Sequence, residues 1–527
     1  MLYLPVSVAS ASFEKIAGTS FNPNVQYVGK DVAVVIPEVT LRQAFPLDAL
    51  VLDRARTEPL HRQLYRALSQ LIKERVLPAG TELPSTRGLA TDLAVARNTV
   101  VAAYDQLSTE GYLLNRPGAR PVVVHLPGGS VTLPPTSTSP NGRELSRRGE
   151  AMMCQPIHHG QAGHVAFHPG MPDSASFPFG VWSRLLARRA NFAGETLFGT
   201  YDVVGLPALR EAIASYLRAA RGVRCGAEQI VITTGAQAAF DLLARLLIDP
   251  GDSVWMEEPG YFGAQSAFAC AGANLVALPV SVDGWALEWP SPRPRLIYVT
   301  PACQHPLGAT MRLEQRMRLL EIAGELDAWV IEDDFDGEYR FQGRPIPAMQ
   351  GGDSSGRVIY VGSFAKILFP ALRLGFMVLP PTLHDRIPHA LSTTGQFAPL
   401  LLQAALADFI NEGHMSRHLK RMRRIYASRR QRFHELCENY LPERLTLLPG
   451  DAGIQIVGLL AHDLDDRRVA DLGRRRGINL SPLSKHYRHA GAVQGLVLGY
   501  AACDESQMTR GIRKLRESID LSLHGHR

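Results

Sequence analysis

Lys366 lies three residues after Ser363 and seven before Arg373 in the string VGSFAKILFPALRLGF. A lysine amine can form a Schiff base with an aldehyde, while a small hydroxyl and a guanidinium can bind a phosphate. Pyridoxal phosphate carries both an aldehyde and a phosphate. Ser-x-x-Lys also occurs in penicillin-binding proteins, but their partner strings SDN and KTG are absent here. A surface lysine after a strand would leave the following features unexplained.

TTGAQAAFDLL reads as a strand end opening a helix, so Gly235, Ala236 and Gln237 would turn main-chain N–H groups toward a phosphate. EEPGYFG places Tyr261 after a strand, where its ring could stack on a pyridine; a core tyrosine accounts for that residue alone equally well. WVIEDDFDGEY ends a strand in carboxylates, one of which would pair with a protonated pyridine nitrogen and keep the ring an electron sink. The acidic run has a rival reading as a calcium loop, with Glu332, Asp334, Asp336 and Gly337 in EF-hand-like positions. The twelfth position is Gly343 rather than a bidentate glutamate, and the run leaves a strand, so no metal site is expected.

Periodicity places these strings in two unlike regions. Leu60, Leu64, Leu68, Leu71 and Ile72 predict an amphipathic helix over 59–76, stopped by Pro78 and Gly80. Ser85 is the expected N-cap of a helix over 86–93. A third helix is expected over 97–110, with Val100, Tyr104 and Leu107 on one face and Gly111 at its end. YLLN and PVVV flank Arg116-Pro117-Gly118 as a short hairpin, and three helices with a hairpin make a winged helix-turn-helix. From 164 onward, apolar runs at 231–233, 253–257, 296–300, 329–333 and 358–362 alternate with helical patterns such as 236–248 and 312–326. That alternation predicts a large α/β domain with a mostly parallel sheet, and its length predicts a smaller C-terminal subdomain near 400–527.

The string LPSTRGLATDLAVARNTVVAAYDQLSTEGYLLNRPG resembles the GntR-type winged helix-turn-helix. Arg97, Asn98 and Thr99 would begin the recognition helix and reach base edges, Arg87 would meet phosphate, and Arg116 would touch the minor groove or backbone from the wing. A protein-binding three-helix unit is the competing reading, and ten Lys/Arg against seven Asp/Glu over 53–125 support nucleic acid only weakly. The wing departs from the usual Gly-Ser-Gly-Thr-Phe-Val ending, reading Gly118-Ala119-Arg120-Pro121-Val122.

The second region resembles fold-type-I aminotransferases over about 164–520. The resemblance implies that Lys366 carries pyridoxal 5'-phosphate, that Asp333 (less readily Asp334) partners the pyridine nitrogen, and that Tyr261 stacks. It implies a phosphate cup of Ala236, Gln237, Ser363 and Arg373, and a Tyr201 that reaches the partner subunit's phosphate. Together the two halves resemble the MocR family of bacterial transcription regulators. The fold class expected is therefore α/β: a winged helix-turn-helix followed by a PLP-dependent, aminotransferase-like domain with a small α+β subdomain. The expected divisions are an uncharacterised extension (1–52), the DNA reader (53–125), a Pro/Ser/Gly-rich linker (126–163) and the effector domain (164–527). The expected partners are operator DNA, a small amine or amino-acid effector and a second copy in a head-to-tail dimer. A working aminotransferase with an appended DNA-binding domain is the alternative.

Three departures from the family pattern stand out. TPACQHPLG replaces TPSHQ-aromatic-Pro, putting Cys303 in the histidine position and His305 in the aromatic one. Phe335 replaces a tyrosine whose hydroxyl bonds the cofactor's O3′, so His305 or another donor must take over, or that bond is lost. The late strand GLVLGY has no arginine for a substrate carboxylate, leaving Arg488 as the nearest candidate effector contact. Gly263 stands where GABA-responsive members carry an arginine, so GABA is not the expected effector.

The 527-residue chain is 46% hydrophobic and 20% charged, as for globular protein, and has no run of 18 apolar residues to span a membrane. Its six cysteines are scattered without a CxxC pair, which argues against a disulfide framework or structural zinc and suits a cytoplasmic protein. The net charge of +6 permits nucleic-acid contact without requiring it.

Overall fold

The computed structural model describes residues 26–27, 33–34, 45–115, 119–124, 145–155, 165–192, 197–288, 292–341, 346–450, 452–461, 463–489 and 491–524. The chain forms two compact units, 1–143 and 144–527. Among the described residues, no helix is long and apolar enough to cross a membrane.

In the first unit, two-residue strands β1 (Gln26–Tyr27) and β2 (Ala33–Val34) pair antiparallel. Three helices follow: α1 (Leu60–Lys73), α2 (Thr86–Asp92) and α3 (Arg97–Thr109). Leu64, Leu68 and Ile72 of α1 close a core with Leu89 of α2 and Val100, Tyr104 and Leu107 of α3. The Ser85 hydroxyl accepts the Gly88 N–H and caps α2, satisfying one of the amides a helix start leaves open. The turn into α3 passes through Ala94, held left-handed at φ 51°. Strands β3 (Leu113–Leu114) and β4 (Val122–Val123) form the hairpin, which Glu82 joins by a bridge to Val122. The tip, including Arg116, lies outside the described residues.

Part of the stretch expected as linker is ordered. Residues Arg147–Met153 form a short helix, α4, capped by Ser146 accepting the Gly149 N–H. The Pro/Ser/Thr-rich composition ends before this point, and LSRRGEAMM has no helix breaker in its apolar-charged pattern other than Gly149.

The second unit carries an eight-stranded sheet in the order β5-β12-β11-β10-β9-β6-β7-β8. The strands are β5 (Ile230–Thr233), β6 (Ser253–Glu258), β7 (Asn274–Ser281), β8 (Gly284–Trp285), β9 (Leu296–Val299), β10 (Trp329–Asp334), β11 (Val358–Ser363) and β12 (Gly375–Val378). Pairing is parallel from β7 through β6, β9 and β10 to β11, whereas β12 runs antiparallel between β11 and β5. Every residue of β5, β6, β9, β11 and β12 is buried, as a sheet covered on both faces requires. Flanking helices are α5 (Phe179–Phe192), α6 (Pro207–Arg221), α7 (Ala236–Leu247), α8 (Phe262–Cys270) and α9 (Leu313–Glu325). The helices α10 (Pro381–His384), α11 (Ile387–Thr394) and α12 (Leu400–Asn411) then lead to the 27-residue helix α13 (His414–Tyr440).

The expected smaller subdomain is an antiparallel sheet in the order β13-β14-β16-β15, with strands Leu445–Leu447, Gln455–Leu460, Ser481–Pro482 and Gly495–Gly499 in chain order. Helices α14 (Asp466–Arg475) and α15 (Glu505–His524) complete it. One early segment joins this sheet: Ala166 bridges Ile478 and Phe167 bridges Gly499. That contact carries the following turn, with Gly170 at φ +67°, to the amine of Lys366.

A Cβ at Gly499 would lie 2.0 Å from the His168 carbonyl oxygen, a main-chain atom that cannot rotate away. We expect Gly499→Ala to lower stability by ~1–3 kcal/mol, the usual range for overpacking, seen as an earlier thermal unfolding of the second unit. An unchanged midpoint would mean that the early segment is not seated on β16.

Candidate functional site

The chemistry-bearing residues gather outside the carboxyl ends of the parallel strands, where open α/β sheets place their ligands. Each strand delivers one piece. β5 ends at Thr233, whose hydroxyl donates to the Gly235 carbonyl and fixes the turn into α7. Gly235 takes φ +112°, and β12 passes so close that a Cβ at Gly375 would lie 3.0 Å from the Gly235 main chain. The first N–H groups of α7, including those of Ala236 and Gln237, lack intrahelical acceptors, and the Arg373 guanidinium lies by Gly235. Arg373 is itself left-handed, at φ 52°. Ser363 ends β11 next to β12 through its pairing with Gly375, which in turn pairs with Thr233. Main-chain amides, a serine whose hydroxyl accepts the Ala365 N–H, and a guanidinium thus stand at adjoining strand ends, group types that could bind a phosphate.

Gln237 has only its backbone available here. Its side-chain amide turns away and donates to the Gly263 carbonyl at 2.8 Å. Tyr261 caps α8 with its ring edge-on to His305, 5.3 Å between centroids. Burial pushes its hydroxyl up to about 12, with the Asp333 charge raising it and the Arg373 charge lowering it. The ring therefore sits within electrostatic reach of both Asp333 and Arg373, the span a stacking aromatic must cover.

The acidic run resolves by strand alternation, because successive side chains of β10 face opposite sides. Glu332 accepts the Met349 and Gln350 N–H groups at 2.7 and 2.8 Å. Asp334 faces the same side, accepts the Tyr360 hydroxyl at 2.7 Å and forms a buried ion pair with Arg221. Asp333 faces the site. Its Oδ2 accepts the Tyr298 hydroxyl at 2.6 Å, while its buried Oδ1 has no partner. Burial raises its carboxyl to about 7, opposed by the Tyr298 hydrogen bond and the charge of Lys366. The open oxygen suits a cationic N–H, which would hold the carboxylate ionised; a protonated pyridine nitrogen is such a donor. Asp333 is thus the carboxylate with an oxygen left open, whereas Asp334 is occupied by Arg221 and Tyr360. The carboxylates of the run therefore diverge rather than converge on one point.

The amine of Lys366 lies 4.0 Å over the Phe335 ring. Burial lowers its proton affinity, while Asp336, Asp333 and Cys303 raise it. Cys303 lies against the Asp336 carboxylate, and burial drives the thiol well above its ordinary range. His305 is buried, and its main-chain N–H donates to the Thr300 hydroxyl at 3.0 Å. Thr300 is held by the buried Glu257, which accepts both its hydroxyl (2.6 Å) and its N–H (2.8 Å). Burial drives the His305 imidazole well below its ordinary range, so it is neutral. Its Nδ1 faces the Gln455 side-chain nitrogen, a donor, at 3.4 Å. Nδ1 therefore accepts, and the proton sits on Nε2.

Other expected residues stand apart from this cluster. Tyr201 is 65% exposed, its ring stacked 4.9 Å from that of Phe397. Arg488 donates to the Leu275 carbonyl, near the amino-terminal end of β7, and is not brought to Lys366. In the other unit Arg97 and Asn98 are exposed at the start of α3, Thr99 is half-buried behind them, and Arg87 is exposed on α2. Arg54 donates to the Ala94 carbonyl and ties down the turn before α3.

Sequence reasoning missed Gln455 and His486, which come from the small subdomain, and the supporting role of Tyr298 and Glu257. Gln455 opens β14, while the His486 ring lies 5.2 Å from that of His305. Neither residue sits in a recognisable local string, and each makes its contact across 150 residues of chain or more, to His305 or Gly260.

Comparison with known proteins agrees with this geometry. The family model for aminotransferase class I and II matches residues 174–515, and that for bacterial regulatory proteins of the gntR family matches 60–123. A "probable rhizopine catabolism regulatory protein MocR" from Rhizobium meliloti is 51% identical over 89% of this chain and 96% of its own. The "HTH-type pyridoxine biosynthesis transcriptional regulator PdxR" of Corynebacterium glutamicum is 29% identical over 87% of this chain and 96% of its own. Among solved structures, the α-aminoadipate aminotransferase LysN of Thermus thermophilus, complexed with N-(5'-phosphopyridoxyl)-L-leucine, is 28% identical with a TM-score of 0.63, covering 68% of this chain and 93% of its own. The kynurenine aminotransferase of Pyrococcus horikoshii is 26% identical with a TM-score of 0.63, covering 75% and 99%.

The two aspartates separate in a stability measurement. Asp334→Asn leaves Arg221 buried without its counter-charge and should cost ~3–5 kcal/mol in denaturant unfolding. Asp333→Asn should behave in the opposite sense in the cofactor-free chain. A carboxyl raised from 3.8 to about 7 by folding costs stability as pH climbs between those values, and the amide removes that slope. Equal losses for both variants would overturn the assignment.

Proposed function

The chain belongs to the MocR family, in which a GntR-type DNA reader is joined to an aminotransferase-like domain, and from that membership we propose how its residues serve a cofactor-dependent transcription regulator. It is a DNA-binding regulator whose second unit has the pyridoxal phosphate-binding fold of the class I and II aminotransferases. The single observation that carries the site assignment is the buried, unpartnered Oδ1 of Asp333 facing the same space as the Lys366 amine.

In this reading Ser363, Arg373 and the first amides of α7, from Gly235 to Gln237, hold the phosphate. Asp333 Oδ1 takes the pyridine N–H, steadied by Tyr298 on its other oxygen. Tyr261 covers the ring, and Lys366 supplies the amine that attaches it. His305 offers its Nε2–H where Phe335 has no hydroxyl to give. When bound, the cofactor supplies an electrophilic carbon that takes up primary amines. An amine effector frees the Lys366 side chain, and it shifts the regulator only as far as it favours one arrangement of the domain over another. Exposed Tyr201 is the residue that completes the site of a second copy in a head-to-tail dimer. Arg97, Asn98 and Thr99 read base edges of the operator, with Arg87 and Arg116 on the backbone or minor groove. The proposed divisions are an extension, reader, linker and effector domain at about 1–52, 53–125, 126–163 and 164–527, although helix α4, within the expected linker, belongs to the second compact unit. A regulator acting on operator DNA places the protein in the cytoplasm.

The alternative, a working aminotransferase with an appended reader, draws on the intact Lys366–Asp333 pair. Sustained keto-acid release over many turnovers would support it. The pocket's lack of a carboxylate-binding arginine on the late strand speaks against it.

Two outcomes test the regulator. The full chain with pyridoxal phosphate should show a visible absorbance band that Lys366→Ala abolishes, and its footprint on the adjacent promoter should change when cofactor or amine is added. A footprint indifferent to both would end the sensing role. On DNA, Arg97→Ala or Asn98→Ala should each cost ~1–3 kcal/mol against the operator and relax its specificity, whereas Arg87→Ala should weaken all sequences alike, as gel-shift titrations against operator and random duplex would reveal.

A further inference from the structure

The polar atoms left open around Lys366 and the neighbouring His305 share one character. Asp336 Oδ1 and Gln455 Oε1 are buried without partners. So is His486 Nε2. Asp336 is 1% exposed, Gln455 8% and His486 2%, so none of them is served by bulk water. A Cβ at Gly170 would lie 3.3 Å from the Lys366 amine and 3.7 Å from Gln455 Oε1, which puts the open amide oxygen beside the reacting amine. The other oxygen of Asp336 accepts the Ile454 N–H at 3.2 Å, so Oδ1 is the free one.

The hydrogen-bond roles follow from the partners. His486 Nδ1 lies 3.2 Å from the Gly260 carbonyl, an acceptor, so that nitrogen carries the proton. Burial lowers the imidazole to about 4, so it is neutral and Nε2 presents a bare lone pair. The Gln455 nitrogen is turned to His305 Nδ1, which leaves its oxygen toward the site. All three open atoms are therefore acceptors. The carboxylates that act on Lys366, Asp336 and Asp333, are acceptors as well, and the neutral Cys303 thiol beside them is turned to Asp336. The guanidinium in reach of the site, Arg373, stands at the phosphate end by Gly235. Arg488, the expected carboxylate anchor, is committed to Leu275.

We propose that the amine effector of this site carries hydroxyl groups in place of a carboxylate, and that Gln455, His486 and Asp336 select it by accepting its O–H donors. The inference rests on the proposed pyridoxal phosphate-dependent sensing. A carboxylate would bring two acceptors to a wall of acceptors and meet the Asp336 charge at low dielectric. A hydroxyl donates to the same wall and satisfies groups that are otherwise buried unpaired, which is the situation in which a site discriminates most strongly.

The test uses the full chain loaded with pyridoxal phosphate and two pairs of amines matched in skeleton: 2-amino-1,3-propanediol against serine, and 3-amino-1-propanol against β-alanine. The readout is the concentration that half-shifts the cofactor's absorbance, corrected by the same pairs acting on free cofactor, with the thermal midpoint recorded in parallel. In each pair the alcohol should act at roughly ten-fold lower concentration or less. Gln455→Leu and His486→Phe should each shrink that preference, and Gln455→Arg should reverse it toward the carboxylates. Each variant is scored only if it retains the cofactor band, and Gln455→Arg remains informative through its gain if the losses reflect misfolding. Carboxylates acting at equal or lower concentration in the wild type, or a preference that survives all three variants, would overturn the proposal while leaving the cofactor site standing. A wild type with no cofactor band would overturn both.

Discussion

A lysine amine buried beside carboxylates that nothing else neutralises is the constraint around which the second unit is arranged. Asp333 and Asp336 are fully enclosed, each with one open oxygen, and the Lys366 amine is the cation whose charge opposes their burial. Such a group of charges is costly in an apolar interior unless geometry is held closely. The fold holds it from three sides: β10 and the turn after it carry the aspartates, β11 leads to the lysine, and the segment entering β14 closes over Asp336 through the Ile454 N–H. What remains unsatisfied is the description of what the site is built to receive.

The sheet accomplishes a sorting that the acidic run alone leaves ambiguous. Period-two alternation sends Glu332 and Asp334 to one face, where backbone amides and Arg221 compensate them. It sends Asp333 to the other, where compensation is left to a ligand. Another buried carboxylate, Glu257, gathers Trp285, Thr300 and Gln304 and so shapes the turn that presents His305. The departures from the family pattern fall within this turn and beside it, at Cys303, His305 and Phe335. They form one contiguous patch: the His305 ring lies 5.6 Å from that of Phe335, Phe335 underlies Lys366, and Cys303 backs Asp336. Replacing one of them changes what the others must do, so the substitutions read as a jointly altered pocket wall rather than as decay.

The DNA reader follows a simpler logic. Its core is one cluster in which each helix contributes an apolar stripe at helical spacing, and the side chains proposed to meet DNA are among those left outside it. Arg97 and Asn98 occupy the first turn of α3 and are exposed for that reason, while Val100, three residues on, is fully buried.

Residue order alone determined much of this protein. The three reader helices lie within a few residues of their expected spans and the Ser85 cap is in place, because both depend on contacts within one or two turns. Each of the five expected strands lies within one or two residues of an observed one, because a doubly covered sheet demands continuous apolar runs. The Ser-x-x-Lys string and the strand-to-helix turn at Gly235 were legible for the same reason: their geometry is set by adjacent dihedrals. Tertiary structure alone decided the rest. It left Asp333 with an open oxygen while pairing Asp334 with Arg221, turned the Gln237 side chain toward Gly263, and tied Arg488 to Leu275. It also brought Gln455 toward Lys366 and His486 against His305 from the separate small subdomain. Each of those outcomes depends on hydrogen-bond partners far apart in the chain, and burial without a partner, which marks the ligand-facing atoms, is a property no local string contains.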